Sequence, residues 1–129
     1  MIVDTSVLIA ILQNEEEATE FAELLVAEPS RISASNWLEA AMVAEGSGDP
    51  DAARNLDLLV ETAGIVIEPV SVRQARAARA AFRRYGRGSG SPARLNLGDC
   101  FAYALAVDSG EPLLFKGDDF VHTDVLRAR

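Results

Sequence analysis

Four short apolar runs, separated by longer stretches of helical periodicity, restrict what this chain can fold into. They are Met1-Ile2-Val3, Arg31-Ile32-Ser33, Ile65-Val66-Ile67-Glu68 and Leu113-Leu114-Phe115. The third is the clearest β-branched run in the sequence. Strands that alternate with helices need right-handed crossovers, which lay helices on both faces of a mainly parallel sheet. A weaker run near Val125-Leu126 brings the expected sheet to about five strands, in an α/β fold with three layers, an α/β/α sandwich. With 129 residues, 49% of them hydrophobic, the chain suits a single domain over residues 1–129 with one continuous core.

Between the strands, the residue spacing predicts a helix from Thr5 to about Gln13, introduced by Asp4-Thr5-Ser6, and a second from about Glu15 to Ala27. In the second, Ala18, Phe21, Ala22 and Leu25 share one face and Glu16, Glu20 and Glu23 the other. Ser35 is a plausible cap for a helix through Trp37, Leu38, Glu39, Met42 and Val43, which Gly46-Ser47-Gly48 ends. Further helices are expected from Asp49 to about Thr62, from Ser71 to Tyr85 and from Gly98 to Asp108, with a Gly/Ser/Pro loop over 86–92.

Composition removes several classes. The one cysteine, Cys100, cannot form an intramolecular disulfide, so nothing points to an oxidising compartment. No apolar run approaches the roughly 20 residues of a membrane span, and the start MIVDTSVLIA lacks the basic region of a signal peptide. A cytoplasmic protein without a membrane partner is expected. The net charge of −8 argues, taken alone, against a nucleic-acid partner.

In an open parallel sheet the functional site lies beyond the carboxyl ends of the strands, so the positions of acids carry information. Asp4 ends the first strand. Asp118 and Asp119 follow the fourth across a Lys116-Gly117 turn. Asp99 opens a helix that is apolar on every side, and Glu39 lies one turn into a helix that begins beyond the second strand. Each also has an ordinary structural role. Asp4 can be a helix cap, Asp99 a first-turn acid, Glu39 a partly exposed helix residue and Asp118-Asp119 a turn. Together, acids assigned to one edge of one sheet repel one another unless a cation joins them. Carboxylate oxygens without His or Cys favour Mg²⁺ or Mn²⁺ over Zn²⁺. His122, the only histidine, lies in a polar segment. Such a site suits phosphoryl chemistry, and without a phosphate-binding glycine loop the phosphate belongs to the substrate.

The residues resemble the PIN-domain ribonucleases, and more closely the short VapC-type toxins of bacterial type II toxin–antitoxin pairs. The resemblance covers nearly the whole chain. It rests on Met1-Ile2-Val3-Asp4-Thr5-Ser6, on Asn36-Trp37-Leu38-Glu39, on Leu95-Asn96-Leu97-Gly98-Asp99-Cys100-Phe101-Ala102-Tyr103-Ala104-Leu105-Ala106, and on Leu113-Leu114-Phe115-Lys116-Gly117-Asp118-Asp119-Phe120. It implies Mg²⁺- or Mn²⁺-dependent cleavage of single-stranded RNA, a homodimer and inhibition by a cognate antitoxin. It assigns Asp4, Glu39 and Asp99 as metal-site carboxylates, with Thr5 or Ser6 orienting Asp4 or a metal-bound water. Many members carry one Asp in a Thr-x-Asp setting after the last main strand. This chain has Asp118-Asp119, so both stand as the fourth acid.

Seven of the eleven arginines lie between Arg73 and Arg94, and no acid occurs from residue 70 to 97. That segment carries +7 and the remainder −15. On a helix, Arg73, Arg76, Arg79, Arg83 and Arg84 fall within an arc of about 140°, with Ala75, Ala78, Phe82 and Tyr85 opposite. Such a stripe can be a solvated face balancing nearby glutamates. Beside a phosphodiesterase site it reads instead as a grip on the RNA backbone, extended by Arg87 in the following loop. Tyr85 is either core or a base-stacking side chain. Three other readings fit less well. A phosphoacceptor receiver needs an acidic pair after the first strand, and Asp4 stands alone. A haloacid-dehalogenase-like phosphatase needs a second Asp at the position of Ser6. A non-catalytic binding module on the same scaffold needs no convergence of the acids.

Overall fold

The computed structural model describes residues 1–129. Its sheet has four strands in the order β3-β2-β1-β4, with β1 at Ile2–Val3, β2 at Arg31–Ser33, β3 at Val66–Glu68 and β4 at Leu113–Leu114. All three pairings are parallel: Ile2 lies against Arg31 and Leu113, and Arg31, Ile32 and Ser33 lie against Val66, Ile67 and Glu68. The expected fifth strand near Val125-Leu126 is reduced to one parallel bridge, Leu113 to Arg127. It is held by the Leu113 N–H on the Leu126 carbonyl (2.8 Å) and the Ala128 N–H on the Leu113 carbonyl (2.9 Å).

Six α-helices cover the sheet: α1 Thr5–Leu12, α2 Ala18–Ala27, α3 Ala34–Glu45, α4 Ala52–Ala63, α5 Val72–Tyr85 and α6 Leu97–Ser109. Successive strand residues point to opposite faces, and the core divides accordingly. Ile2 and Leu113 join α5, α6 and the C-terminal segment, whereas Val3 and Leu114 join α1 to α4. This is the three-layer arrangement expected. No helix is long and apolar enough to cross a membrane.

Helix starts differ from the sequence reading where polar side chains stabilise a turn. Residues 15–17 precede α2, because Asn14 is left-handed (φ 51°) and the Lys116 ammonium holds Glu15 and Glu17 at 2.9 and 3.0 Å. The Asp49 carboxylate accepts the Asp51 N–H at 2.9 Å, so α4 begins only at Ala52. Ser33, not Ser35, takes the N-cap position of α3, its hydroxyl 3.0 Å from that of Ser35 and making no capping bond to the backbone, and α3 leaves β2 with no loop between them. Gly110 ends α6 in the left-handed region (φ 67°) that favours glycine, and turns the chain into β4. On α5, Ala78, Ala81 and Tyr85 are buried, while Phe82, expected on the docking face, is 48% exposed beside Leu97 and Phe101.

Candidate active site

Asp4 leaves β1 with its N–H on the Leu114 carbonyl (3.0 Å) and caps α1, its Oδ2 accepting the Ser6 N–H at 3.0 Å. Only 5% of the residue is exposed. Burial raises its pKa to about 6, assisted by the negative charges of Asp99 and Glu39 and opposed by the hydrogen bond from Ser6. Asp99 stands in the first turn of α6 in a reciprocal cap. Its N–H donates to Asn96 Oδ1 (2.9 Å) and its Oδ2 accepts the Asn96 N–H (3.0 Å). Burial raises this pKa too. The Asn96 backbone opposes the shift, Asp119 and Glu39 add to it, and Arg87 lowers it.

Asp99 and Glu39 thus act on Asp4, and Asp119 and Glu39 on Asp99, although these acids come from four different segments. The like charges stand apart: no three Asp, Glu, His or Cys side chains lie close enough together to hold a metal ion. The donor set nevertheless suits a hard cation, because it is all carboxylate and because Asp4 Oδ1 and Asp99 Oδ1 accept no protein hydrogen bond. His122 is exposed in the 3-10 turn Asp119–His122, and burial pushes the Cys100 thiol up to about 11, away from a thiolate ligand.

Two residues with no role in the sequence reading shape the site. Asn36 is fully buried, and its Nδ2 donates to the Gly98 carbonyl at 2.9 Å, which ties α3 to α6. Its own carbonyl accepts the Thr5 hydroxyl at 3.1 Å, which ties α3 to α1. Thr5 therefore orients α3 and not Asp4, while the Ser6 backbone holds Asp4 and the Ser6 hydroxyl accepts the Lys116 N–H. Gly98 lies beneath Glu39: a Cβ there would come within 2.7 and 2.8 Å of the two Glu39 oxygens. The signals were a polar residue in the buried first turn of α3 and the Asn96-x-x-Asp99 spacing of a capping box.

The arginines divide. Arg87 acts on Asp99, and Arg76, Arg79 and Arg83 are exposed without an ion pair. Arg84 lies over the Tyr85 ring (4.7 Å) and 3.5 Å from Asp124. Arg73 pairs with Asp108 at 2.6 Å, in the last turn of α6 and so at the opposite end from Asp99. Tyr85 is core, edge-on to Tyr103 at 5.7 Å.

A family model for the PIN domain matches residues 1–126. The chain belongs to the PIN-domain family. Within it, the chain sits among VapC proteins. It is 55% identical over 129 residues to Ribonuclease VapC28 of Mycobacterium tuberculosis, covering 99% of this chain and 97% of that one. Two solved structures share the PIN fold. The crystal structure of M. tuberculosis VapC20, a sarcin-ricin loop cleaving toxin, aligns with TM-score 0.78 at 16% identity over 99% of this chain and 98% of that one. A toxin–antitoxin complex from Klebsiella pneumoniae aligns with TM-score 0.69 at 23% identity over 92% and 88%.

Two outcomes follow from the buried charge and the Gly98 contact. Because folding raises the Asp4 pKa, the folded chain binds more protons than the unfolded one between about pH 4 and pH 6, so this contribution to stability falls as pH rises through that window. Asp4→Asn keeps a capping oxygen and removes the charge. In urea denaturation with EDTA at pH 7.5 it should be more stable than the parent by about 2–3 kcal/mol, with the gap closing near pH 4; a less stable variant at pH 7.5 contradicts the burial argument. Gly98→Ala favours the helix by up to about 1 kcal/mol but displaces the Glu39 carboxylate. Thermal denaturation should show an intact fold, and any catalytic assay of the site a clear loss.

Proposed function

We propose that this chain, as a single PIN domain over residues 1–129, is a Mg²⁺- or Mn²⁺-dependent endoribonuclease. It cleaves phosphodiester bonds of single-stranded RNA and acts as the cytoplasmic toxin of a toxin–antitoxin pair. The observation that carries this reading is the buried Asp4 carboxylate, raised in pKa and surrounded by the charges of Glu39 and Asp99, with Asp119 acting on Asp99. Relatives named as ribonucleases support the substrate class, and the toxin–antitoxin complex from K. pneumoniae supports an antitoxin partner.

Drawn closer than they stand in the metal-free chain, Asp4, Glu39, Asp99 and Asp119 would hold the cation, with Asp118 adjacent. When bound, a divalent ion makes water more acidic and offsets charge building on the phosphate. The chain's own residues do the rest. The Ser6 N–H and the Asn96 N–H fix one oxygen of Asp4 and of Asp99, leaving the other oxygen of each unengaged. Arg87, beside Asp99, can pair with the phosphate backbone, and Arg76, Arg79 and Arg83 extend the cationic face along α5. Arg73 and Arg84, held by Asp108 and Asp124, contribute long-range attraction more than contact. Leu38, Met42, Val43, Leu97 and Phe101 line an open groove of about 690 Å³ beside Glu39 and Gly98. This apolar surface supports the homodimer.

The direct test is cleavage of a single-stranded RNA by the purified chain. Mg²⁺ or Mn²⁺ should support cutting and EDTA should stop it, and Asp4→Asn and Asp99→Asn should each reduce it to background. Full activity in either variant, or undiminished cutting in EDTA, contradicts the proposal.

A further inference from the structure

Asp119 is exposed and forms no ion pair or side-chain hydrogen bond of its own, so its position depends on what anchors the segment that carries it. On one side the anchor is Phe120, buried in the core with its ring 5.1 Å from Phe115. On the other, Thr123 donates its hydroxyl to the Phe120 carbonyl (2.7 Å) and accepts the Val125 N–H (3.3 Å), closing a tight turn around Asp124. Asp124 in turn accepts the Tyr103 hydroxyl at 2.5 Å.

Tyr103 stands four residues after Asp99, on the same face of α6 and one turn along it. The face of α6 that carries Asp99 is therefore tied, one turn further on, to the terminal segment through the Tyr103–Asp124 hydrogen bond, and Asp119 lies five residues before Asp124 in that segment. The tyrosine ring is buried edge-on against Tyr85, which holds it whether or not the hydroxyl is present. Burial and the Asp124 charge push the phenol well above its ordinary range, while the hydroxyl lowers Asp124, so a neutral donor faces an ionised acceptor.

We propose that the Tyr103–Asp124 hydrogen bond is a latch that holds the segment carrying Asp119 against the face of α6 that carries Asp99, which makes Tyr103 and Asp124 positioning residues of the metal site. The inference rests on the reading of Asp119 as a metal-site acid. A latch that only pins the C-terminal segment would lower stability without acting through Asp119, and the two roles separate in a double-mutant cycle.

The experiment measures the Mn²⁺ concentration that half-saturates the rise in melting temperature, together with RNA cleavage. It uses the parent chain, Tyr103→Phe, Asp119→Asn and the double variant. Tyr103→Phe keeps the ring and should raise the half-saturating Mn²⁺ about tenfold, in the range seen when partners of metal ligands are removed. In the Asp119→Asn background the same change should add little. Asp124→Asn, which keeps an acceptor oxygen, should retain more metal affinity than Asp124→Ala. Unchanged metal affinity in Tyr103→Phe, or equal losses in both backgrounds, overturns the latch. If Asp119→Asn behaves as the parent, Asp119 and the latch fall while the Asp4 and Asp99 site stands. If the parent itself neither responds to Mn²⁺ nor cuts RNA, the proposed function falls and the latch with it.

Discussion

A carboxylate buried at the junction of β1 and α1 is the constraint around which this molecule is arranged. Asp4 is held by one backbone N–H of the helix it caps and faces two further acids, an arrangement that works against stability above about pH 6. The surroundings keep it in place through ties that are individually ordinary. Its backbone is paired to β4, the Thr5 hydroxyl reaches the Asn36 carbonyl, and the Asn36 amide reaches Gly98 beside Asp99. Asn36 thus joins three helices, α1 capped by Asp4, α3 carrying Glu39 one turn in, and α6 carrying Asp99 in its first turn.

Charge is separated along the chain and again in space. The net value of −8 conceals a segment of +7, most of it on α5, packed against the helix that carries Asp99. Within that segment position decides the role. Arg87 lies close enough to lower the Asp99 pKa, whereas Arg73 is a helix length away and already paired. A count of arginines therefore overstates how many can meet one phosphate near the acids.

The parallel sheet and its crossovers were legible because β-branched runs and apolar helical faces recur at strand and helix periods. Asp4 and Asp99 were legible because a strand end and a helix start are marked by sequence. What remained hidden depends on contacts distant in sequence. Glu15 and Glu17 extend a helical pattern on paper but are drawn into a turn by Lys116, about a hundred positions later. Phe82 has core chemistry but is half-exposed, because Ala78, Ala81 and Tyr85 form the face of α5 that enters the core with α6. Asn36 sat inside a recognisable motif without a role, since only the folded chain brings Gly98 to its amide. The 3-10 turn Asp119–His122, which directs Phe120 into the core, was likewise unmarked in the sequence.

The central claim is that acids from separate segments form one cation site, and the position of a bound Mn²⁺ tests it most directly. Anomalous diffraction from crystals grown with Mn²⁺ should place the ion among Asp4, Asp99 and Asp119, with Glu39 alongside. An ion bound elsewhere, or one that engages Asp118 and leaves Asp4 free, would contradict the account.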